Sequence, residues 1–556
     1  MTSSENVQLQ HALIDPISDQ REGATTFEAC LNAHGMYETM RFALRLSPRN
    51  HELMELVEAG EVDPANPSPE VLQAYSTYIH ETVHWWQHVG SVSGLVYSLS
   101  YLAQSHANID ELKDVLADFG PKKPLKGFTD QVLTNEGERA QAKLSAANSA
   151  VNNTLDVEYY KYYAFLPREN IKWMIEQNHF ESVGHGYLIV YGQVIGMLAM
   201  CIDENNEVFP SSGGWGDEIA RLREEQVEGF YWRSPVRPPA VGMRAVYEGQ
   251  ARFIQLQFLD GARGEPLPCD EWKERGFLSG IYVEAFAAFL NLSGSDWPPN
   301  LNSALVALFL LICDLAINPT RGIPFEVESF EDFITDVDVG VRFTRLCFAV
   351  KERPELRDAI KEYSKNDYIA VSAVLSELTG YDHPMTALQE VREWLEKAPG
   401  ADKLAEEYKT FNFDPRNLPI RVFLSHFMEF SKDKFESPEF FCWPGYYMSH
   451  QHLKLESQEI WLRHLSLFSD RGDKDGIYPR KWPNRSADAV MQTFKQFYST
   501  MALYDLTRQW ILKDGPFVCD FRWLSENYNQ ADADAWGNDT FKQVYGVTLD
   551  EFEIVQ

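Results

Sequence analysis

The sequence predicts a mainly α-helical chain of α+β class, with one small sheet placed ahead of the helices. Three observations point there. Long stretches carry apolar residues at helical spacing between Ser/Pro starts and Gly stops. One early segment, residues 36–47, instead alternates with period two. Composition is that of a folded chain, 44% hydrophobic and 24% charged, so there is ample apolar material to bury. At 556 residues the chain exceeds what a single core holds, and more than one packed unit is expected.

The elements follow in order. In 36–47, Phe42, Leu44 and Leu46 point one way and Arg41, Ala43 and Arg45 the other, which reads as a half-buried strand ended by Pro48. Ser68-Pro69-Glu70 is a helix start: Ser accepts from free amides, Pro fits the first turn, and Glu complements the dipole. That helix runs through VLQAYSTYIHETVHWWQHV and stops near Gly90. Residues 185–202 are apolar with Gly186, Gly192 and Gly196, and periodicity leaves a strand pair or a buried helix open. A loop at 204–217 and a Pro-rich break at 233–239 precede a helix from 242 to about 259. Helices are expected at 271–291 and 301–317, separated by the turn SGSDWPPN. The rest, 326–556, reads as amphipathic helices, the clearest over 486–513.

Charge and cysteine usage narrow the function. A net charge of −32 repels phosphate backbones, and no Lys/Arg-rich run offsets it, so a nucleic-acid partner is not expected. Seven scattered cysteines (Cys30, Cys201, Cys269, Cys313, Cys347, Cys442 and Cys519), an odd number without a CxxC pair, argue against a disulfide framework and for a reducing cytoplasm. The first residues lack the basic and apolar regions of a signal peptide. The longest apolar run, 304–313, falls short of the ~20 residues that span a bilayer, so no membrane partner is expected.

The chemistry is carried by His80-Glu81-Thr82-Val83-His84, an H-E-x-x-H pattern inside the helix that starts at Ser68. Residues four apart share a helix face, so both imidazoles can reach one metal ion, while Glu81 reaches the water beside it as general base. His88 extends the series to i+8. It would sit ~12 Å from His80 along the helix axis, too far to share an ion with Zn–N bonds of ~2.1 Å. His88 is expected to pack, to support a ligand or to meet substrate.

This pattern resembles the zincin superfamily of metallopeptidases. Gln87 and Gly90 occupy the positions where the metzincin branch needs Gly and His, which excludes that branch; the resemblance is to the gluzincin branch, whose third ligand is a Glu on a later helix. Val246-Tyr247-Glu248-Gly249-Gln250-Ala251-Arg252 resembles that element, with Gly249 and Ala251 letting two helices approach. By this resemblance Glu248 is the third ligand of a zinc ion (Zn2+). Arg252 stands where thermolysin-like members place an Asp.

The resemblance implies a zincin-like catalytic region, with a helical insertion around 107–180; the run of elements places that region over 1–325, followed by a helical C-terminal region over 326–556. It also implies a peptide or protein substrate, hydrolysed by zinc-activated water. Asp314, in an apolar run, and Glu284 are candidates for a carboxylate behind a ligand His, although the polar side of a helix accounts for each. Tyr247, His185, Tyr446, Tyr447, His450 and His452 are candidates to stabilise an oxyanion. Two other readings remain open: an HExxH hydrolase of a non-peptide amide, and a helical binding scaffold whose metal site is structural or vestigial.

Overall fold

In the computed structural model, which describes residues 35–63, 67–165, 171–264, 266–449, 452–482, 484–525 and 527–555, residues 36–47 form a hairpin instead of the single expected strand. β1 (Gly35–Glu38) and β2 (Ala43–Leu46) pair antiparallel, Gly35 opposite Leu46. The Glu38 carbonyl accepts from the Arg41 and Phe42 amides at 3.2 and 2.6 Å, and Phe42 takes a φ of 56°. This turn resets the alternation. Arg45, expected on the polar face, is buried, and its guanidinium pairs with Glu38.

The remaining strands are two residues each: β3 (Lys122–Lys123), β4 (Phe468–Ser469), β5 (Tyr478–Pro479) and β6 (Glu553–Ile554). One sheet has the order β1-β2-β4-β5, with β2 and β4 parallel and the outer pairs antiparallel. β3 and β6 form a second, parallel pair. The Leu46 amide also donates to Asp470 Oδ1 at 3.1 Å, locking the hairpin to the β4 segment.

Everything else that is large is helical. The helices that matter for the site are α1 (Pro69–Val89), α2 (Val92–Ala107), α3 (Ser145–Phe165), α4 (Val183–Ile202), α5 (Met243–Arg263), α6 (Ile281–Ser293), α7 (Ala304–Ile317), α8 (Val339–Glu352), α9 (Leu418–Glu436) and α10 (Ala487–Leu512). Ser68 caps α1 by accepting from the Val71 amide at 3.3 Å, and Pro69 opens it; losing such a cap costs about 1 kcal/mol. The span expected at 271–291 is instead two helices, Cys269–Glu274 and α6, parted at Gly276 and Gly280, both at positive φ.

The open choice at 185–202 resolves to helix. α4 is the one described helix long and apolar enough to cross a membrane. It packs on α2 and α3, and its Tyr187 hydroxyl donates to Asp338 Oδ2 at 2.5 Å, so its apolar surface serves the interior.

α1 is the hub. It lies against α2, α5 and the hairpin, with buried residues on all sides of its second half. α1 and α5 run antiparallel: Gln255 on α5 donates to Ser76 at 3.1 Å, while Gln87, late in α1, donates to the Tyr247 carbonyl at 3.0 Å. Gly249 does not serve this contact. A Cβ there would fall 3.3 Å from Ala285 and 3.4 Å from Phe309, so the small residue lets α5 approach α6 and α7.

Candidate metal centre

The second half of α1 is buried, which is unusual for a helix carrying two histidines and a glutamate, because such groups lose hydration unless something replaces it. His80, Glu81 and His84 are 5, 6 and 7% exposed. They form a group whose ligand atoms lie within 4.8 Å of one another and could hold a metal ion.

Helical spacing puts His80 and His84 one turn apart, and their Nε2 atoms stand 3.1 Å from each other. α5 brings Glu248 to the same point. Its Oε2 is 3.5 Å from His80 Nε2 and 3.4 Å from His84 Nε2, and no hydrogen-bond donor among the described residues meets it in good geometry.

Glu81 points toward the hairpin. The Tyr37 amide hydrogen-bonds its carboxylate. A Cβ at Gly35 would fall 2.9 Å from Glu81 Cγ and 2.8 Å from Thr77 Cγ2, so β1 lies this close to α1 only because residue 35 is glycine. Burial pushes the Glu81 carboxyl up to about 8. Burial also holds His80 down to about 4. For His84 burial acts the same way, but the Glu248 carboxylate outweighs it and carries the imidazole up to about 9. Glu248 is held well below the usual carboxylate range, because the two imidazoles overcome its desolvation. A divalent cation seated between these groups replaces the proton they share.

Gln87, one turn beyond His84 on α1, was not among the expected site residues. Its Nε2 donates to the Tyr247 carbonyl at 3.0 Å and to Gln250 Oε1 at 2.9 Å, and its Oε1 lies 2.7 Å from His84 Nδ1. A backbone carbonyl only accepts, so the amide orientation is fixed, and with it the proton on His84 Nδ1. The lone pair of His84 Nε2 is thereby aimed at His80 and Glu248. His80 has no such support: its Nδ1 is buried without a partner among the described residues. Arg252 packs its guanidinium 3.9 Å over the Tyr282 ring and donates to Gln255 at 2.6 Å. Tyr282, another residue that the sequence reading did not single out, meets the His80 ring edge-on at 5.9 Å.

His88 stacks on Tyr37 at 5.4 Å and meets Tyr247 edge-on at 5.2 Å, as a packed residue. Asp314 pairs with Lys434 at 2.5 Å and accepts from Tyr368, with neither His80 nor His84 among its partners, and Glu284 is exposed. His185 sits 3.3 Å from Asp156. The Tyr447 hydroxyl donates to the Tyr363 carbonyl at 2.7 Å, and Tyr446 is stacked between Tyr363 and His452. Tyr247 alone of the aromatic candidates lines the small cavity beside Glu248 and His84. His450 lies outside the described residues.

No protein-family model matches the chain, and neither a curated protein nor a solved structure gives a match.

Proposed function

We propose that the chain is a zinc-dependent hydrolase of amide bonds and, more specifically, a metallopeptidase of gluzincin type built on a zincin-like core. The mutual spacing of three donor atoms carries this reading. Nε2 of His80, Nε2 of His84 and Oε2 of Glu248 are 3.1, 3.4 and 3.5 Å apart. Ligands ~2.1 Å from a tetrahedral ion are separated from each other by about 3.4 Å. The three atoms thus match one face of such a tetrahedron and leave a fourth position for water or substrate. Two imidazoles and one carboxylate are a donor set of catalytic zinc sites, whereas structural sites are closed by four protein ligands.

Zinc held there supplies a Lewis acid that brings the pKa of water toward neutrality. The protein's own residues do the rest. Gln87 sets the tautomer of His84. Glu81, held by the Tyr37 amide, accepts a proton from the attacking water and returns it to the leaving amine. Arg252, buried and close enough to lower the His80 pKa, adds a fixed positive charge where negative charge develops on the substrate carbonyl.

The test is Glu81→Gln, which keeps size but cannot take the proton. Zinc content and melting temperature should stay at parental values while cleavage of a mixed peptide library falls about a hundredfold or more. Equal cleavage by both proteins, with zinc bound in both, rules the mechanism out. A scaffold would keep its binding behaviour in the variant.

A further inference from the structure

Beside His84 and Glu248 lies a cavity of about 20 Å³, lined also by Tyr37, Thr39, His88 and Arg244. Its walls hold polar atoms without partners: Tyr37 OH, Thr39 Oγ1 and His88 Nδ1 are all buried and unbonded among the described residues. Buried polar groups are normally satisfied, and a cluster of exceptions at one cavity marks a place where something else supplies the bonds.

Arg244 decides what that is. It sits one helical turn before Glu248 on α5, so both project from the same face about 6 Å apart along the axis. Its Nε is buried without a partner, and no carboxylate pairs with its guanidinium among the described residues. The overall charge of −32 repels anions, so any anion held here must be held locally.

We propose that Arg244 binds the free terminal carboxylate of the substrate, so that the site removes residues from a chain end and does not cut within it. This rests on the hydrolase reading above and deepens it. A guanidinium meets a carboxylate with two parallel hydrogen bonds. One turn of α5 between Arg244 and Glu248 corresponds to one or two residues of extended substrate, at ~3.3–3.6 Å each. The carboxylate on Arg244 therefore brings the last or second-last amide bond to the donor cluster. Glu248 would repel such a substrate, but a divalent cation and Arg244 together outweigh its single charge.

The experiment is calorimetric titration of acetyl-trialanine and its C-terminal amide into the full chain carrying Glu81→Gln, loaded with zinc, so that neither probe is consumed. The acid should bind about tenfold tighter or more, as a charge-assisted pair predicts. Arg244→Gln should erase that gap and Arg244→Lys should keep part of it, with melting curves checking that each variant is folded. Equal binding of acid and amide, no binding of the acid, or a gap that survives Arg244→Gln overturns the proposal. Discrimination between the probes by a chain that cleaves neither with Glu81 intact would sink the hydrolase reading alone. Cleavage of acid and amide at equal rates would sink this proposal alone.

Discussion

Gln87 Oε1 stands 2.7 Å from His84 Nδ1, and the same amide donates to the Tyr247 carbonyl on the facing helix. One side chain therefore orients the His84 imidazole and ties α1 to α5 next to Glu248. Gln87→Ala removes both bonds. Outer contacts of this kind are worth 10–100-fold in metal affinity, so zinc affinity measured by competition with a chelating dye should fall by about that factor. Unchanged affinity would show that the contact is only structural.

Glu248 and Glu284 separate a ligand from a bystander. Glu248 is buried between the two histidines, while Glu284 is exposed on α6. Elemental analysis should find about one zinc per parental chain, little in Glu248→Ala, His80→Ala or His84→Ala, and the parental amount in Glu284→Ala. Parental zinc in Glu248→Ala would overturn the assignment of the third ligand.

Lys434 neutralises Asp314 inside the protein at 2.5 Å, where Tyr368 and Asn318 also donate to the carboxylate. Lys434→Ala strands a buried charge and should destabilise by about 3–5 kcal/mol, seen as a lower denaturation midpoint. Adding Asp314→Leu should recover much of the loss. Zinc content should not change in either protein, since this pair is not bonded to the histidines.

Burial holds the Lys161 ammonium down to about 7, over the rings of Tyr97 and Tyr101 at 4.0 and 4.1 Å. The unfolded chain, with a lysine pKa of ~10.4, binds more protons than the folded chain between about pH 7 and 10. Stability from this group therefore rises with pH across that window. Lys161→Met should melt above the parent by its largest margin at or below pH 7, and the margin should vanish near pH 10. A margin independent of pH would show that Lys161 is charged in the folded state throughout.

What the sequence revealed was what repeats locally. His80 and His84 are legible because a helix puts i and i+4 on one face, and α1 is legible because Ser68, Pro69 and Gly90 mark its ends. Gln87 is three residues beyond His84 on the same face, and Arg244 four before Glu248, so helical spacing could have nominated both. It could not say what they meet, because their partners lie on another helix or in a cavity. The hairpin was missed because a left-handed Phe42 carries no sequence signal of the kind that glycine gives. Asp314 in an apolar run announced that it needed a partner, but Lys434 lies 120 positions away. Strands β4 and β5, two residues each, fall below any periodic pattern.

The bond from Leu46 to Asp470 spans 424 positions. Ribosomes add about 5–20 residues per second, so Leu46 waits on the order of a minute for that partner. Until then the hairpin that sets Gly35 and Tyr37 against Glu81 has its contacts with α1 but not its bond to the β4 segment. A nascent or prematurely terminated product thus carries the HExxH sequence without its assembled surroundings. The bond that ties the hairpin to the β4 segment therefore forms only once the chain has passed residue 470.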